Sequence, residues 1–442
     1  MYWRRSRDAA GRHRLLILRG ASLDAVAVII FLAALGVIAF EWVHRTKAAL
    51  VGAGLVVVVG VVDLDRAIEA VDWSTLGLLT GMMILVGLTE RTGIFTYLAL
   101  RTAQLSKGRP LRLVFLLAGV TGVTSAFLDN LTSILLIVPI TLLLADVLRI
   151  SPIPLVLVEV IASNIGGTAT LIGDPPNIMI GTAVPELTFN DFIVNLAPVS
   201  IVTLLLVSGL LYLVFRRQLI VSHDRVAELE RLDPAADVRE SRYVKRSLAV
   251  LVGTIVAFFL HAPLHLEPAV VALGGATILL LVASDDVEEA LERVEWSTIF
   301  FFLGLFVMVG ALEERGVIEA VADRLAEATG SDAGQGMAIL WGAAAGSALV
   351  DNIPFTAAMI PVVEQLQAGN DEFEDGLWWA LALGACFGGN ATLIAAAANV
   401  AAAGVLERSG ERISFGRFLS VGLPITLVSL AVASVYLLVF QL

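Results

Sequence analysis

The chain has 442 residues, of which 58% are hydrophobic and only 16% are charged, and its mean hydropathy is +0.87. This composition excludes a soluble globular protein, and the net charge of −12, spread over loops, is not that of a nucleic-acid-binding protein. The single cysteine excludes a disulfide framework and a cysteine metal cluster. Apolar segments near the ~20 residues needed to cross a bilayer recur along the chain, so we predict an all-α polytopic protein in a lipid bilayer.

Each half of the chain is predicted to contain three crossings, a helical hairpin, a broken crossing and a final crossing. The first half follows a basic tail at 1–21 and fills 22–215. Its hairpin is expected at 110–148 and its broken crossing at 153–181. A charged linker at 216–246 then leads to the second half.

The second half is predicted to fill 247–442, with its hairpin at 333–366 and its broken crossing at 376–404. The two hairpins are assigned from Asp129–Asn130 and Asp351–Asn352. Each pair interrupts an apolar run long enough for two shorter helices. We therefore expect the chain to turn back at each pair without crossing the membrane.

The two halves repeat their polar motifs at a spacing of 222 residues. The matched positions are Asp129–Asn130 with Asp351–Asn352, Gly166–Gly167 with Gly388–Gly389, and Asn177 with Asn399. Five crossings plus one re-entrant hairpin give an odd number of passages, so the repeats are predicted to be inverted relative to each other. Arginine and lysine are concentrated in the loops that would then face the cytoplasm, including 216–246, whereas the basic tail conflicts with this orientation.

The run from Ser163 to Asn177 is the most polar stretch within an apolar segment. Its glycines and prolines cannot sustain a regular helix. Irregular backbone at membrane depth is tolerated only where it is buried in protein or lines a cavity. Free carbonyls with Asn, Ser and Thr oxygens would suit a small hard cation. The alternative is a proline kink that serves packing alone.

Four acids lie inside the apolar segments: Asp129, Glu159, Asp174 and Asp351. A carboxylate at mid-bilayer costs roughly 2.5–3.5 kcal/mol on insertion scales, so such residues indicate proton or cation binding. The alternative for Asp129 and Asp351 is helix capping, and for Glu159 a structural, locally bonded acid. Asp174 and Glu159 have no acidic counterpart in the second half, so the coupling chemistry is expected in the first half.

The chain resembles the arsenite permease and NhaD-type antiporter branch of the ion transporter superfamily, and within it the pink-eyed dilution (P) protein subgroup. The resemblance rests on Phe127–Thr132, Ser163–Asn177, Leu349–Thr356 and Gly384–Asn390. It implies a homodimer with a scaffold domain and an elevator-type transport domain in a bacterial or archaeal cytoplasmic membrane. Dicarboxylate-carrying relatives read Ser-Asn-Thr at each hairpin tip, whereas this chain has Asp first, which disfavours a di-anion.

We therefore predict a secondary active transporter for a small inorganic ion, an antiporter of Na⁺ or another cation against H⁺, with no cofactor and with Na⁺ or H⁺ as the coupling ion. No phosphate-binding loop is present, so the chain is not expected to be an ATP-hydrolysing enzyme. The alternatives are an arsenite or anion exporter with a separate ATPase subunit, a dicarboxylate- or citrate-type symporter, and an ion channel.

The residues expected to bind substrate or ion lie at the hairpin tips and broken crossings. They are Asp129, Asn130, Thr132, Ser163, Asn164, Gly166, Gly167, Thr168, Asp174, Asn177, Asp351, Asn352, Thr356, Gly388, Gly389, Asn390, Thr392 and Asn399. The candidates for proton coupling are Asp129, Glu159, Asp174 and Asp351. Two Na⁺ positions are predicted, one at Asp129, Asn130, Asn164 and Gly166, the other at Asp351, Asn352, Gly388 and Asn390.

Overall fold

The computed structural model describes residues 23–40, 42–236, 238, 241–283, 287–368 and 375–442. The predicted basic tail at 1–21 lies outside these residues. Every regular element in the described part of the chain is a helix, which confirms the all-α prediction. The helices fall into a first series of ten, a single helix, and a second series of ten.

The first series covers the predicted first half of the chain, including its hairpin at 110–148 and its broken crossing at 153–181. Its members are α1 (Leu23–Ala39), α2 (Arg45–Val58), α3 (Leu64–Glu69), α4 (Trp73–Glu90), α5 (Ile94–Ser106), α6 (Pro110–Leu128), α7 (Asn130–Leu148), α8 (Ile153–Gly167), α9 (Pro175–Ala183) and α10 (Phe189–Phe215). The single helix α11 (His223–Glu230) lies within the predicted linker.

The second series has the same order of long and short helices. Its members are α12 (Ser241–Leu260), α13 (Pro268–Ala283), α14 (Val287–Glu292), α15 (Trp296–Glu314), α16 (Val317–Thr329), α17 (Asp332–Leu349), α18 (Asn352–Gln367), α19 (Gly376–Gly388), α20 (Ala397–Arg408) and α21 (Phe415–Phe440). Helix α12 begins inside the predicted linker, because Arg242, Lys245 and Arg246 are good helix formers that extend it beyond its apolar part.

Seven helices of the described chain are long and apolar enough to cross a membrane, judged by length and composition: α4, α6, α7, α10, α12, α15 and α21. Four further apolar helices are shorter: α1, α8, α13 and α19. Helix α8 has 15 residues and therefore spans only about 22 Å, less than a hydrocarbon core of about 30 Å. The segment that contains α8 can cross only together with the irregular backbone that follows it.

The chain divides into two compact units. The first unit contains α1 to α3, α15, α16 and the part of α18 from Ala357 onward. Within it, α2 and α15 pack closely, because Gly304 leaves no room for a side chain against the backbone of Ala49. The Oγ1 hydroxyl of Thr46 donates to the carbonyl oxygen of Ser297 at 2.7 Å, which ties the same two helices together.

The second unit contains the remaining helices and the first residues of α18. Within it, α4 packs on α13 where a side chain at Gly81 would meet the backbone of Ala272. All 15 residues of α8 and all 13 residues of α19 are buried. These two short, fully enclosed helices and the irregular stretches after them hold most of the predicted site residues.

Candidate functional site

Each hairpin tip carries an aspartate in an unusual backbone conformation. Asp129 joins α6 to α7 with φ 81° and ψ 156°, a region that non-glycine residues occupy at a cost of roughly 1–3 kcal/mol. Its two carboxylate oxygens accept hydrogen bonds from the backbone N–H of Thr132 at 2.9 Å and from its hydroxyl at 2.7 Å. Asp351 has φ 151° and accepts from the N–H of Ile353 at 3.1 Å. Both acids therefore cap the helix that follows.

The broken crossings are each held by one asparagine. After α8 ends at Gly167, Asn177 Nδ2 donates to the carbonyl oxygens of Thr168 at 3.0 Å and Thr170 at 2.8 Å. After α19 ends, Asn399 Nδ2 donates to the carbonyl oxygens of Gly389 at 2.7 Å and Thr392 at 2.9 Å. Each amide thus satisfies buried backbone that lost its helical partners. The side-chain oxygens of Asn177 and Asn399 stay available for other contacts.

Four amides, which we call the amide cluster, meet around Asn164: Asn130, Asn164, Asn390 and Asn399. Asn164 Oδ1 accepts from Asn130 Nδ2 at 3.1 Å. Asn164 Nδ2 donates to Asn390 Oδ1 at 3.0 Å and to Asn399 Oδ1 at 3.1 Å. All four are buried, and Asn390 Nδ2 has no hydrogen-bond partner in the described part of the chain. The cluster is neutral and links the two broken crossings directly.

A second group, the acid cluster, consists of Asp174, Asn177, Asn352 and Cys386. Asn352 Nδ2 donates to Asp174 Oδ1 at 3.1 Å, and the Cys386 thiol donates to Asn177 Oδ1 at 3.7 Å. The thiol also lies within hydrogen-bonding reach of the Asp174 carboxylate. Asp174 is fully buried, and its Oδ2 has no hydrogen-bond partner among the described residues.

The electrostatic surroundings of Asp174 are negative. Asp351 and Asp129 both lie within electrostatic reach of its carboxylate. The ion pairs of the described residues leave Asp129 and Asp174 without a lysine or arginine partner. A buried carboxylate oxygen with no donor in such surroundings can take up a proton or bind a cation.

The predicted site glycines lie at close backbone contacts. A Cβ at Gly166 would come within 2.3 Å of the Gly122 carbonyl oxygen, and one at Gly388 within 2.6 Å of the Ala344 Cα. A Cβ at Gly167 would likewise come within 2.5 Å of the Gly173 carbonyl oxygen. Their absent side chains therefore let helices and irregular stretches approach. Gly389 is less crowded, since its nearest contact would be the Cys386 carbonyl oxygen at 3.1 Å.

The predicted site hydroxyls bond mainly to backbone. Thr168 Oγ1 donates to the Asn164 carbonyl oxygen at 2.7 Å, and Thr356 Oγ1 to that of Asn352 at 2.7 Å. Ser163 Oγ donates to the Val160 carbonyl oxygen at 2.9 Å. Thr392 Oγ1 donates to the Ala348 carbonyl oxygen at 2.8 Å, which fixes the second broken crossing to α17. These hydroxyls shape the backbone of the site.

Glu159 makes its described hydrogen bond outside both clusters. Its Oε1 accepts from the Thr141 hydroxyl of α7, and its Oε2 has no partner among the described residues. The carboxyl group is fully buried between α7 and α8. This contact joins two neighbouring helices of the second unit, in keeping with the structural alternative weighed for this residue.

Sequence reasoning left Gly122, Ser125, Gly173 and Cys386 out of the site. Ser125 Oγ donates to the Ser163 carbonyl oxygen at 2.6 Å, and the other three contact predicted residues as described above. The repeat carried a signal for Cys386, because it stands 222 positions after Asn164. Aligning every polar position of one repeat with the other would have included it.

Comparisons with known proteins give the chain its family. The profile of the CitMHS family, described as citrate transporter, matches residues 35–384. An uncharacterised transporter of Mycobacterium tuberculosis is 43% identical over 94% of this chain and 98% of its own length. The 46 kDa membrane protein of Mycobacterium leprae is 39% identical over the same shares.

More distant similarity extends to animals and to a solved structure. The human P protein is 34% identical over 94% of this chain, which corresponds to 59% of the human protein. The crystal structure of the Alcanivorax borkumensis YdaH transporter matches with a TM-score of 0.58 at 16% identity, covering 86% of this chain and 89% of that one. The family profile and the mycobacterial relatives identify an integral, multi-pass membrane transporter and not an enzyme, and these relatives support a bacterial origin. The shared fold and the apolar helices agree with this. The chain belongs to the CitMHS citrate transporter family within the ion transporter superfamily.

Proposed function

We propose that this protein is a secondary transporter that exchanges Na⁺, or another small cation, for H⁺. The observation that carries the proposal is Asp174, a fully buried carboxylate with one oxygen lacking any donor among the described residues. An ionised carboxylate in such a place is costly unless a cation or a proton neutralises it. Competition of a proton and a cation for the same oxygen atoms is the simplest basis for coupled exchange.

The neighbours of Asp174 favour a cation over an anion. Asp129 and Asp351 add negative charge within electrostatic reach, so a cation in this region is attracted by up to three carboxylates. Asn352 and Asn177 offer side-chain amides close by, and amide oxygens suit hard monovalent and divalent cations. A di- or tri-carboxylate would meet repulsion at the same place.

Binding at the predicted Na⁺ positions would require small rearrangements of the amides. Asn164 Oδ1 accepts a hydrogen bond from Asn130 Nδ2 at 3.1 Å. A cation coordinated by the side-chain oxygens of Asn130 and Asn164 would replace that hydrogen bond. The capping carboxylates of Asp129 and Asp351 would then have to keep their backbone donors and also face the ion. Such exchange of one hydrogen bond for ion coordination gives two alternative arrangements of the site.

We further propose inverted repeats, an elevator-type movement and a homodimer. Two helix pairs support the inversion, since α2 packs on α15 in the first unit and α4 packs on α13 in the second. In the order of the two series α2 corresponds to α13 and α4 to α15, so the pairs are the same contact with the partners exchanged. A two-fold relation between repeats within the membrane plane would produce this pattern.

A citrate-type carrier is the second candidate, and the description of the matching family favours it. The amide Nδ2 of Asn390, which has no hydrogen-bond partner among the described residues, could donate to a substrate oxygen. Arsenite export with an ATPase subunit and channel activity rest on the resemblance alone. Since the acids around Asp174 oppose an anion, we place citrate after cation exchange.

Proteoliposomes containing a pH-sensitive dye test the proposal. We expect Na⁺- or Li⁺-dependent proton flux in the wild-type protein and none above empty liposomes in Asp174→Asn. Asp146→Asn is the matched control, because Asp146 is an exposed aspartate near the end of α7. Citrate or arsenite uptake without cation-dependent proton flux would contradict the proposal and favour the corresponding alternative.

A further inference from the structure

Cys386 occupies in α19 the position that Asn164 occupies in α8. The two residues are 222 positions apart, the spacing of the whole repeat, and both are fully buried. Their contacts are related in the same way. Asn164 donates to Asn399 at 3.1 Å, and Cys386 donates to Asn177, the repeat equivalent of Asn399, at 3.7 Å.

The thiol makes weaker contacts than the amide that it replaces. Asn164 takes part in side-chain hydrogen bonds with Asn130, Asn390 and Asn399. A thiol is a weak donor and a weak acceptor, and Cys386 directs its described hydrogen bond to Asn177. The thiol lies within hydrogen-bonding reach of the Asp174 carboxylate, yet Asp174 Oδ2 remains without a hydrogen-bond partner among the described residues.

We propose that Cys386 determines the ion preference of the site at Asp174 by leaving the second carboxylate oxygen unengaged. This inference rests on the proposed cation exchange and names the residue that sets its selectivity. An asparagine at this position could donate to Asp174 Oδ2, as Asn352 already does to Oδ1 at 3.1 Å. The carboxylate would then be held by two amides and would bind a cation less readily.

Sulfur also limits which cations bind well. A neutral thiol is a poor ligand for hard cations such as Na⁺ and Li⁺, which prefer oxygen. A serine hydroxyl of similar size would add an oxygen ligand next to the carboxylate. The wild-type residue therefore keeps the oxygen of Asp174 free without contributing a strong ligand of its own.

Three substitutions separate these effects. Cys386→Ala removes the sulfur without adding a donor or a ligand, so its half-effective cation concentration should lie between those of the serine and asparagine variants. Cys386→Asn should raise the half-effective cation concentration about tenfold, since hydrogen bonds to charged groups are strong enough to change equilibria by that factor. Cys386→Ser should lower it, and more for Li⁺ than for K⁺.

The measurement is thermal stabilisation of the purified full-length protein in detergent by NaCl, LiCl and KCl, with choline chloride as the ionic-strength control. Stabilisation of the wild type together with equal half-effective concentrations in the alanine, serine and asparagine variants would overturn the inference and leave the proposed function intact. A wild-type protein that no cation stabilises more than choline would overturn both. If Cys386→Asn fails to fold, the half-effective cation concentrations of the serine and alanine variants decide. A lower value for serine supports the inference, and equal values overturn it.

Discussion

The amide cluster and the acid cluster are repeat-related versions of one arrangement with different chemistry. Asn352 and Asn177 stand in the acid cluster where Asn130 and Asn399 stand in the amide cluster, and Cys386 replaces Asn164. Asp174 has Ala396 as its counterpart, and Ala396 is likewise buried. Asn390 has Thr168 as its counterpart, so three positions differ between the clusters, and Asp174 alone turns a neutral cluster into a charged one.

The two clusters differ in the kind of atom that lacks a hydrogen-bond partner among the described residues. The amide cluster leaves a donor, Asn390 Nδ2, and the acid cluster leaves an acceptor, Asp174 Oδ2, each without a partner among the described residues. Buried polar atoms without partners are few in folded proteins and call for an explanation. The amide cluster can therefore donate one more hydrogen bond, whereas the acid cluster can accept one more.

The largest expected effect follows from removing the charge of the acid cluster. Asp174→Asn should abolish cation-dependent proton flux, because an amide neither titrates nor attracts a cation as a carboxylate does. Asn164→Asp tests the other cluster by adding a carboxylate at its centre, where Asn130 is the described residue that donates to the side-chain oxygen of Asn164. We expect it to lower protein yield, since a mid-membrane charge costs roughly 2.5–3.5 kcal/mol. Flux at wild-type level in Asp174→Asn would show that the difference between the clusters has no role in transport.

The sequence predicts the long helices better than it predicts the contacts within the site. The interruption at Asp129–Asn130 coincides with the junction of α6 and α7, because a polar pair in an apolar run is a strong local signal. Short helices such as α3 and α14 were not predicted, since six residues between apolar segments carry no clear periodicity.

The site residues could be chosen from the sequence, but their partners could not. Asn164 and Asn390 are separated by 226 residues, and no local pattern records which amide of one repeat meets which amide of the other. The glycines illustrate the same limit. Polarity and backbone freedom suggested ion contacts for Gly166, whereas its closest neighbour is the backbone of Gly122 on α6.

The next largest expected effect is a loss of stability from substitutions where the broken crossings pack on the hairpins. Gly166→Ala and Gly388→Ala place a Cβ within 2.3 Å and 2.6 Å of backbone atoms, and such overpacking costs roughly 1–3 kcal/mol. Gly119→Ala on α6 is the control, because nothing lies within 4 Å of its added Cβ. The apparent melting temperature in detergent should drop for the first two variants and stay or rise for the third. Equal values for all three would contradict close packing at both crossings.

A direct comparison of the two cluster centres should give a smaller difference. Asn164→Ala leaves Asn130, Asn390 and Asn399 each short of a partner, and orphaned buried polar groups cost about 1–3 kcal/mol. Cys386→Ala deletes only the weak contacts of a thiol and little volume. The apparent melting temperature should therefore fall more for Asn164→Ala than for Cys386→Ala. The reverse order would mean that the thiol, and not the amide, holds the two broken crossings together.

The smallest expected effect on stability concerns the strained cap at Asp129. Asp129→Gly removes the capping carboxylate, which glycine replaces at a cost of only a few tenths of a kcal/mol, and it relieves a backbone conformation with φ 81° that suits glycine. The melting temperature should stay near the wild-type value, whereas Asp129→Ala should lower it because alanine neither caps nor tolerates that conformation. If Asp129 serves only as a cap, the glycine variant will also transport at the wild-type rate. If its carboxylate belongs to the ion path, flux in proteoliposomes will fall in a protein that is as stable as the wild type, which separates the two roles at a single position.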